Sequence, residues 1–168
     1  SYGFESGNTL WCNTLSGTAE TPVTTQAHTG SYSMPLTASA KGALITHAIT
    51  TVISQNWSLP IDVNGRVKIE LWVYSPQAQN GWNSTATGSL KGISANVATW
   101  EYFDSSGTAI DDDGVSLGHV AYAKGWNHIT FTSLKVPPSN AARIGLLSIS
   151  LSSETTALTF VDDITVST

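Results

Sequence analysis

The chain has 168 residues, which suits one domain with a sizeable core. Only 11% of the residues are charged and the formal net charge is -5, so polarity comes from Ser, Thr, Asn and Gly, a composition suited to strands and to a neutral, hydroxyl-rich partner. No basic patch offers itself to nucleic acid and no apolar run is long enough to cross a bilayer as a helix, so neither nucleic acid nor membrane is an expected partner.

In chain order, the apolar residues recur with period two, turn signals interrupt them at short intervals, and no amphipathic helix emerges. This predicts an all-β sandwich in a single domain, residues 1–168. Strands are expected near 2–6, 31–37, 43–50, 66–75, 94–104, 116–121, 126–133, 143–152 and 157–166. The opening run Ser1-Tyr2-Gly3-Phe4-Glu5 is consistent with removal of a secretory leader. Cys12 is the only cysteine, which excludes an intrachain disulfide; it reads as buried packing, because no Cys-His arrangement nearby supports a nucleophile. Asn64-Gly65, Ser106-Gly107, Asp113-Gly114, Lys124-Gly125 and Pro137-Pro138 are expected turn elements.

The clearest strand is Val67 to Tyr74. Val67, Ile69, Leu71 and Val73 share one face and belong in the core, while Lys68, Glu70, Trp72 and Tyr74 share the other. Two charges beside two large aromatics are unusual on a solvent face. Either Trp72 and Tyr74 pack under a loop, or the face is open and grips a ligand. Sugar rings present apolar C–H faces and hydroxyl edges, so a mixture of aromatic and hydrogen-bonding side chains suits them. The strand 96–103 adds to this face if Val97 and Phe103 point inward, leaving Asn96, Trp100 and Tyr102 outward; the opposite register buries Trp100 and exposes Glu101. The first register is the expected one. His128, Thr130 and Thr132 alternate with Ile129 and Phe131 and line the same face, or His128 is a structural residue. Trp82, in a polar loop, and Trp57 are further aromatic candidates, each able to contact ligand or fold back onto the sandwich. Asp111-Asp112-Asp113 reads as a solvated turn, with a second cation site as the alternative.

Four segments in this order resemble calcium-containing jelly-roll carbohydrate-binding modules of families 4, 11 and 22. They are Gly3-Phe4-Glu5-Ser6-Gly7 with Trp11, Thr29-Gly30-Ser31-Tyr32-Ser33-Met34, Trp126-Asn127-His128-Ile129-Thr130 with Val136-Pro137, and Phe160-Val161-Asp162-Asp163-Ile164-Thr165-Val166. The resemblance implies a two-sheet antiparallel jelly roll of the galactose-binding-like kind. It also implies a structural calcium held by the Glu5 and Asp162 carboxylates and by carbonyls near Asn8, Ser31 and Ser33. Asp162 shares a strand face with Ile164 and Val166, so its carboxylate should point inward, where it needs a metal, a lysine or a turn to cap. Trp11 and Trp126 match family positions that look like core.

The implied function is non-catalytic recognition of a polysaccharide, a β-linked glucan, xylan or mannan, by a secreted module attached to a glycan-degrading catalytic domain. The candidate contacts are Glu70, Trp72, Tyr74, Trp82, Trp100, Tyr102 and His128. Two alternatives stand beside it. One is an adhesive sandwich that binds protein. The other is a hydrolase or lyase using Glu70 and Glu101, although no catalytic signature surrounds either residue and no Gly-x-Ser-x-Gly elbow is present.

Overall fold

The computed structural model describes residues 4–6, 11–13, 18–19, 21–36, 44–49, 65–78, 96–117, 120–152 and 158–168. After a 3-10 turn at Phe4–Ser6 come β1 (Trp11–Asn13), β2 (Thr18–Ala19), β3 (Met34–Pro35), β4 (Leu44–Ile49) and β5 (Lys68–Ser75). They are followed by β6 (Val97–Phe103), β7 (Ala109–Ser116), β8 (Gly125–Thr132), β9 (Arg143–Ser152) and β10 (Phe160–Ser167). Two sheets form, ordered β2-β1-β4-β9-β6-β7 and β3-β10-β5-β8, and every described strand pair is antiparallel. The chain is therefore the two-sheet antiparallel sandwich that its alternation predicts.

β5 shows why it folds this way. Val67, Ile69, Leu71 and Val73 are all fully buried between the sheets, each contributing on the order of 1.5–3 kcal/mol by leaving water. Phe131 and Ile129 of β8, Val161, Ile164 and Val166 of β10, and Ile144, Leu147, Ile149 and Leu151 of β9 complete this core.

The register of β6 is the reverse of the expected one. Ala98, Trp100 and Tyr102 are buried, while Val97, Thr99, Glu101 and Phe103 face outward. The reason is Glu101. Val97 and Phe103 share a strand face with it, so burying them would carry a carboxylate into the core without a partner, a heavier cost than exposing part of a phenyl ring. Tyr102 tolerates burial because its hydroxyl donates to Asp113 Oδ2 at 3.0 Å. Asn96 is buried as well, its Oδ1 accepting from the Tyr122 hydroxyl at 2.6 Å.

Asp111-Asp112-Asp113 is also not a turn. These residues form the middle of β7, an edge strand paired with β6. Asp113 Oδ2 accepts from Ser133 Oγ at 2.6 Å, and Lys135 Nζ reaches Asp111 at 2.8 Å. Strand β7 of one sheet is thus tied to the segment that follows β8 in the other.

Candidate functional site

On the four-stranded sheet, alternation sets Lys68, Glu70, Trp72 and Tyr74 on the outward side of β5, opposite Thr132, Thr130, His128 and Trp126 of β8. Glu70 lies 3.0 Å from Lys68 Nζ and 3.5 Å from His128 Nε2. The sequence therefore places Glu70, Trp72, Tyr74 and His128 together correctly. Trp126 joins this outward row, half-buried, whereas its family position had suggested the core.

The aromatic rings of this face are turned toward one another. His28 stacks on Trp72 with centroids 4.0 Å apart and planes 14° from parallel, and His128 stacks on Trp72 at 4.9 Å and 23°. His28 is tied to Asp163 of β10 and also lies edge-on to Trp126 of β8 at 5.5 Å, so it touches rings from both β5 and β8. Tyr74 meets Trp126 and Phe160 edge-on, at 5.4 and 6.1 Å. Trp72 thus stacks with two imidazoles of the protein itself, one of them from the segment carrying His28. His28 has no periodicity to mark it in the sequence; its partners lie far along the chain.

That segment is anchored by the acids expected to hold calcium. Asp162, 1% exposed, accepts the His28 and Thr29 backbone N–H groups on Oδ2 at 2.9 and 3.3 Å and the Asp163 N–H on Oδ1 at 2.8 Å. Burial pushes its carboxyl above the ordinary range, against the pull of these three hydrogen bonds. Glu5 accepts the N–H groups of Ser31 and Tyr32 at 2.8–3.0 Å. Its carboxylate also lies where a Cβ on Gly30, at φ +64°, would stand. The Ser33 carbonyl accepts from Val23 N–H, and Asn8 lies outside the described residues. Calcium wants convergent oxygens with free lone pairs. Here the described oxygens face N–H donors, and among the described residues no three His, Cys, Asp or Glu side chains converge. In the described structure the Glu5 and Asp162 carboxylates thus hold segment 28–32 through its backbone N–H groups, and the expected ligand near Asn8 lies outside the described residues.

The six-stranded sheet presents a different outward face. Thr99, Glu101, Asp112 and Leu146, with Trp100 and Asp113 beneath, line a depression of about 290 Å³. Glu101 and Asp112 are direct cross-strand partners, a like-charge arrangement that disfavours pairing. Leu146 sits in a β-bulge, where Leu146 and Leu147 together oppose Trp100 because the β6–β9 register shifts between Thr99 and Glu101. Leu147 is buried, whereas Leu146 is 39% exposed at φ +49°. Nothing in the sequence marks Thr99, Asp112 or Leu146 as carbohydrate-contact residues; the register that turns Glu101 outward is the signal that leads to them. Trp100 and Tyr102, expected as contacts, are core residues. Trp82 and Trp57 lie outside the described residues.

No protein-family model and no curated protein matches the sequence. Several solved structures are similar in shape, three of them as follows. The enzymatically active domain of tailspike protein 4 of bacteriophage CBA120 matches with TM-score 0.53 and 14% identity over 98% of this chain and 20% of that one. A structure of carbohydrate-binding modules from the β-sandwich superfamily matches with TM-score 0.54 and 13% identity, over 100% of this chain and 61% of that one. The C-terminal family 22 carbohydrate-binding module of a Clostridium thermocellum protein gives 0.48 and 15%, over 98% and 89%. This chain thus spans one fifth of the tailspike chain and less than two thirds of the superfamily one, and at these identities the first two likenesses establish what is shared: the β-sandwich fold found in carbohydrate-binding modules.

Proposed function

We propose that this domain is a non-catalytic carbohydrate-binding module and that it grips a neutral polysaccharide on the six-stranded face. The observation that carries this reading is the depression itself, where two outward carboxylates stand directly opposite one another beside an exposed leucine. Carboxylates accept hydrogen bonds from paired sugar hydroxyls, and an aliphatic side chain covers part of a ring's C–H face. Adjacent negative charges disfavour uronic-acid chains and favour a neutral one, and the family resemblance points among neutral chains to β-linked glucans, xylans and mannans. In a larger secreted protein the module would hold an attached catalytic domain at its substrate by raising effective concentration. The fold of the superfamily modules supports the reading without assigning the sugar.

Affinity electrophoresis against soluble mixed-linkage β-glucan, xylan and galactomannan tests it. Retardation by at least one of them is expected; no retardation of the folded protein by any removes the proposal. Turnover of one of these polymers, lost in Glu101→Gln, would instead make the opposed carboxylates a catalytic pair.

A further inference from the structure

Two described non-glycine residues have positive φ, Leu146 and Asp163, both at +49° and both at bulges. This region is costly for any residue with a Cβ, though short polar side chains reduce the cost by bonding locally. Asp163 does so. Its carboxylate accepts from His28 Nδ1 and Thr29 Oγ1, each at 2.7 Å, and its N–H donates to Asp162. Leu146 has no such compensation available: its side chain is aliphatic and more than a third exposed. Bulges that need positive φ ordinarily place glycine there, and Gly145 is its immediate neighbour, packed against the Phe103 ring so closely that a Cβ would lie 3.1 Å from it. A strained backbone and an exposed apolar side chain therefore coincide at one residue, on the wall of the depression.

We infer that Leu146 is a ligand-contact residue, the surface on which the C–H face of a bound sugar ring lies, and that its strained backbone is retained because it aims this side chain over Glu101 and Asp112. The inference rests on the carbohydrate reading above and deepens it. Strain that persists without local compensation is a known mark of binding and switch positions, and its removal commonly raises stability at the expense of function. The ring favoured by this geometry carries its hydroxyls equatorially, leaving one flat face for Leu146 and an edge for the carboxylates.

Two substitutions separate the parts of this claim. Leu146→Gly removes the side chain and the strain together, whereas Leu146→Ala removes the side chain and keeps the strain. Both should weaken binding to whichever of β-glucan, xylan or galactomannan retards the wild type, by about 5- to 10-fold, the loss expected from uncovering part of one leucine. Leu146→Gly should also melt above Leu146→Ala, by about 1–4 °C. Affinity within two-fold of wild type in both variants overturns the inference and leaves the carbohydrate reading standing. A Leu146→Gly melting temperature no higher than that of Leu146→Ala overturns it too. Failure of the wild type to bind any of the three polymers removes the underlying reading instead.

Discussion

On the four-stranded face the large outward side chains touch one another; on the six-stranded face they leave a hollow. Trp72 stacks with two imidazoles, Tyr74 abuts Trp126 and Phe160, and Glu70 pairs with Lys68 and His128. Glu70, Trp72, Tyr74 and His128 there each already meet a side chain of the protein. Across the core, Glu101 faces Asp112, and Leu146 stays exposed at a strained φ. Aromatic content alone points to the first face, while unsatisfied chemistry points to the second. A surface whose side chains satisfy one another contributes to stability, and a surface that leaves a cost unmet is where a ligand has something to offer.

The contrast depends first on the register of β6. Trp100→Ala should remove about 3–5 kcal/mol of stability by opening a large cavity, seen as a fall in urea midpoint or as failure to fold. A fully stable variant would put Trp100 back on the surface.

The next test sets the faces against each other. The double variant Glu101→Gln/Asp112→Asn should lose about 100-fold in affinity, the worth of two hydrogen bonds to charged acceptors, at little change in melting temperature. Trp72→Ala should bind within two-fold of wild type but melt about 5–10 °C lower, having lost two stacking partners. If Trp72→Ala instead abolished binding in a folded protein, the site would belong to the four-stranded face.

A smaller effect is expected at the segment carrying His28. His28→Ala should cost about 1–2 kcal/mol, from one charge-assisted hydrogen bond and one stack, without changing affinity. A chelator tests the calcium implied by the family resemblance, which Asp162 and Glu5 would hold beside the N–H donors they already accept; an unchanged wild-type melting temperature counts against it. A fall of several degrees in calorimetry would show that the described arrangement gives way to a metal-bound one.

The smallest effect concerns Asp111. Lys135 holds its carboxyl below the ordinary 3.8. The folded state therefore binds this proton less readily than the unfolded chain, and the stabilisation is present above that value and lost as pH falls through the depressed one. Asp111→Asn should lower stability slightly at pH 7 and low salt, with the difference from wild type shrinking in acid and in high salt. A difference that grew on acidification would contradict the assignment.

How much of this was legible in the sequence varied by strand. β5 could be read outright, because one face is aliphatic throughout and the alternation allows one answer. β6 could not be read from aromatics, since Val97 and Phe103 compete with Trp100 and Tyr102 for the core; the charge on Glu101 decides it, together with Asp113, which satisfies the Tyr102 hydroxyl from another strand. β7 was hidden because three successive acids imitate a loop, and they are accommodated at an edge where Lys135 and Ser133 meet them. Residues 143–152 read as plain strand; Gly145 is the one residue there that signals a bulge, and it does not announce that Leu146 is the residue turned out. The partners of His28 are long-range contacts, set by the fold rather than by neighbouring residues.

The acidic edge carries a further consequence. β7 is the outermost strand of its sheet, and an exposed edge is a template for pairing with another chain. Two molecules laid edge to edge there would set Asp111, Asp112 and Asp113 of one against the same residues of the other, and mutual repulsion would part them. Copies of this domain brought close together would therefore remain separate particles instead of zipping their sheets into a continuous ribbon.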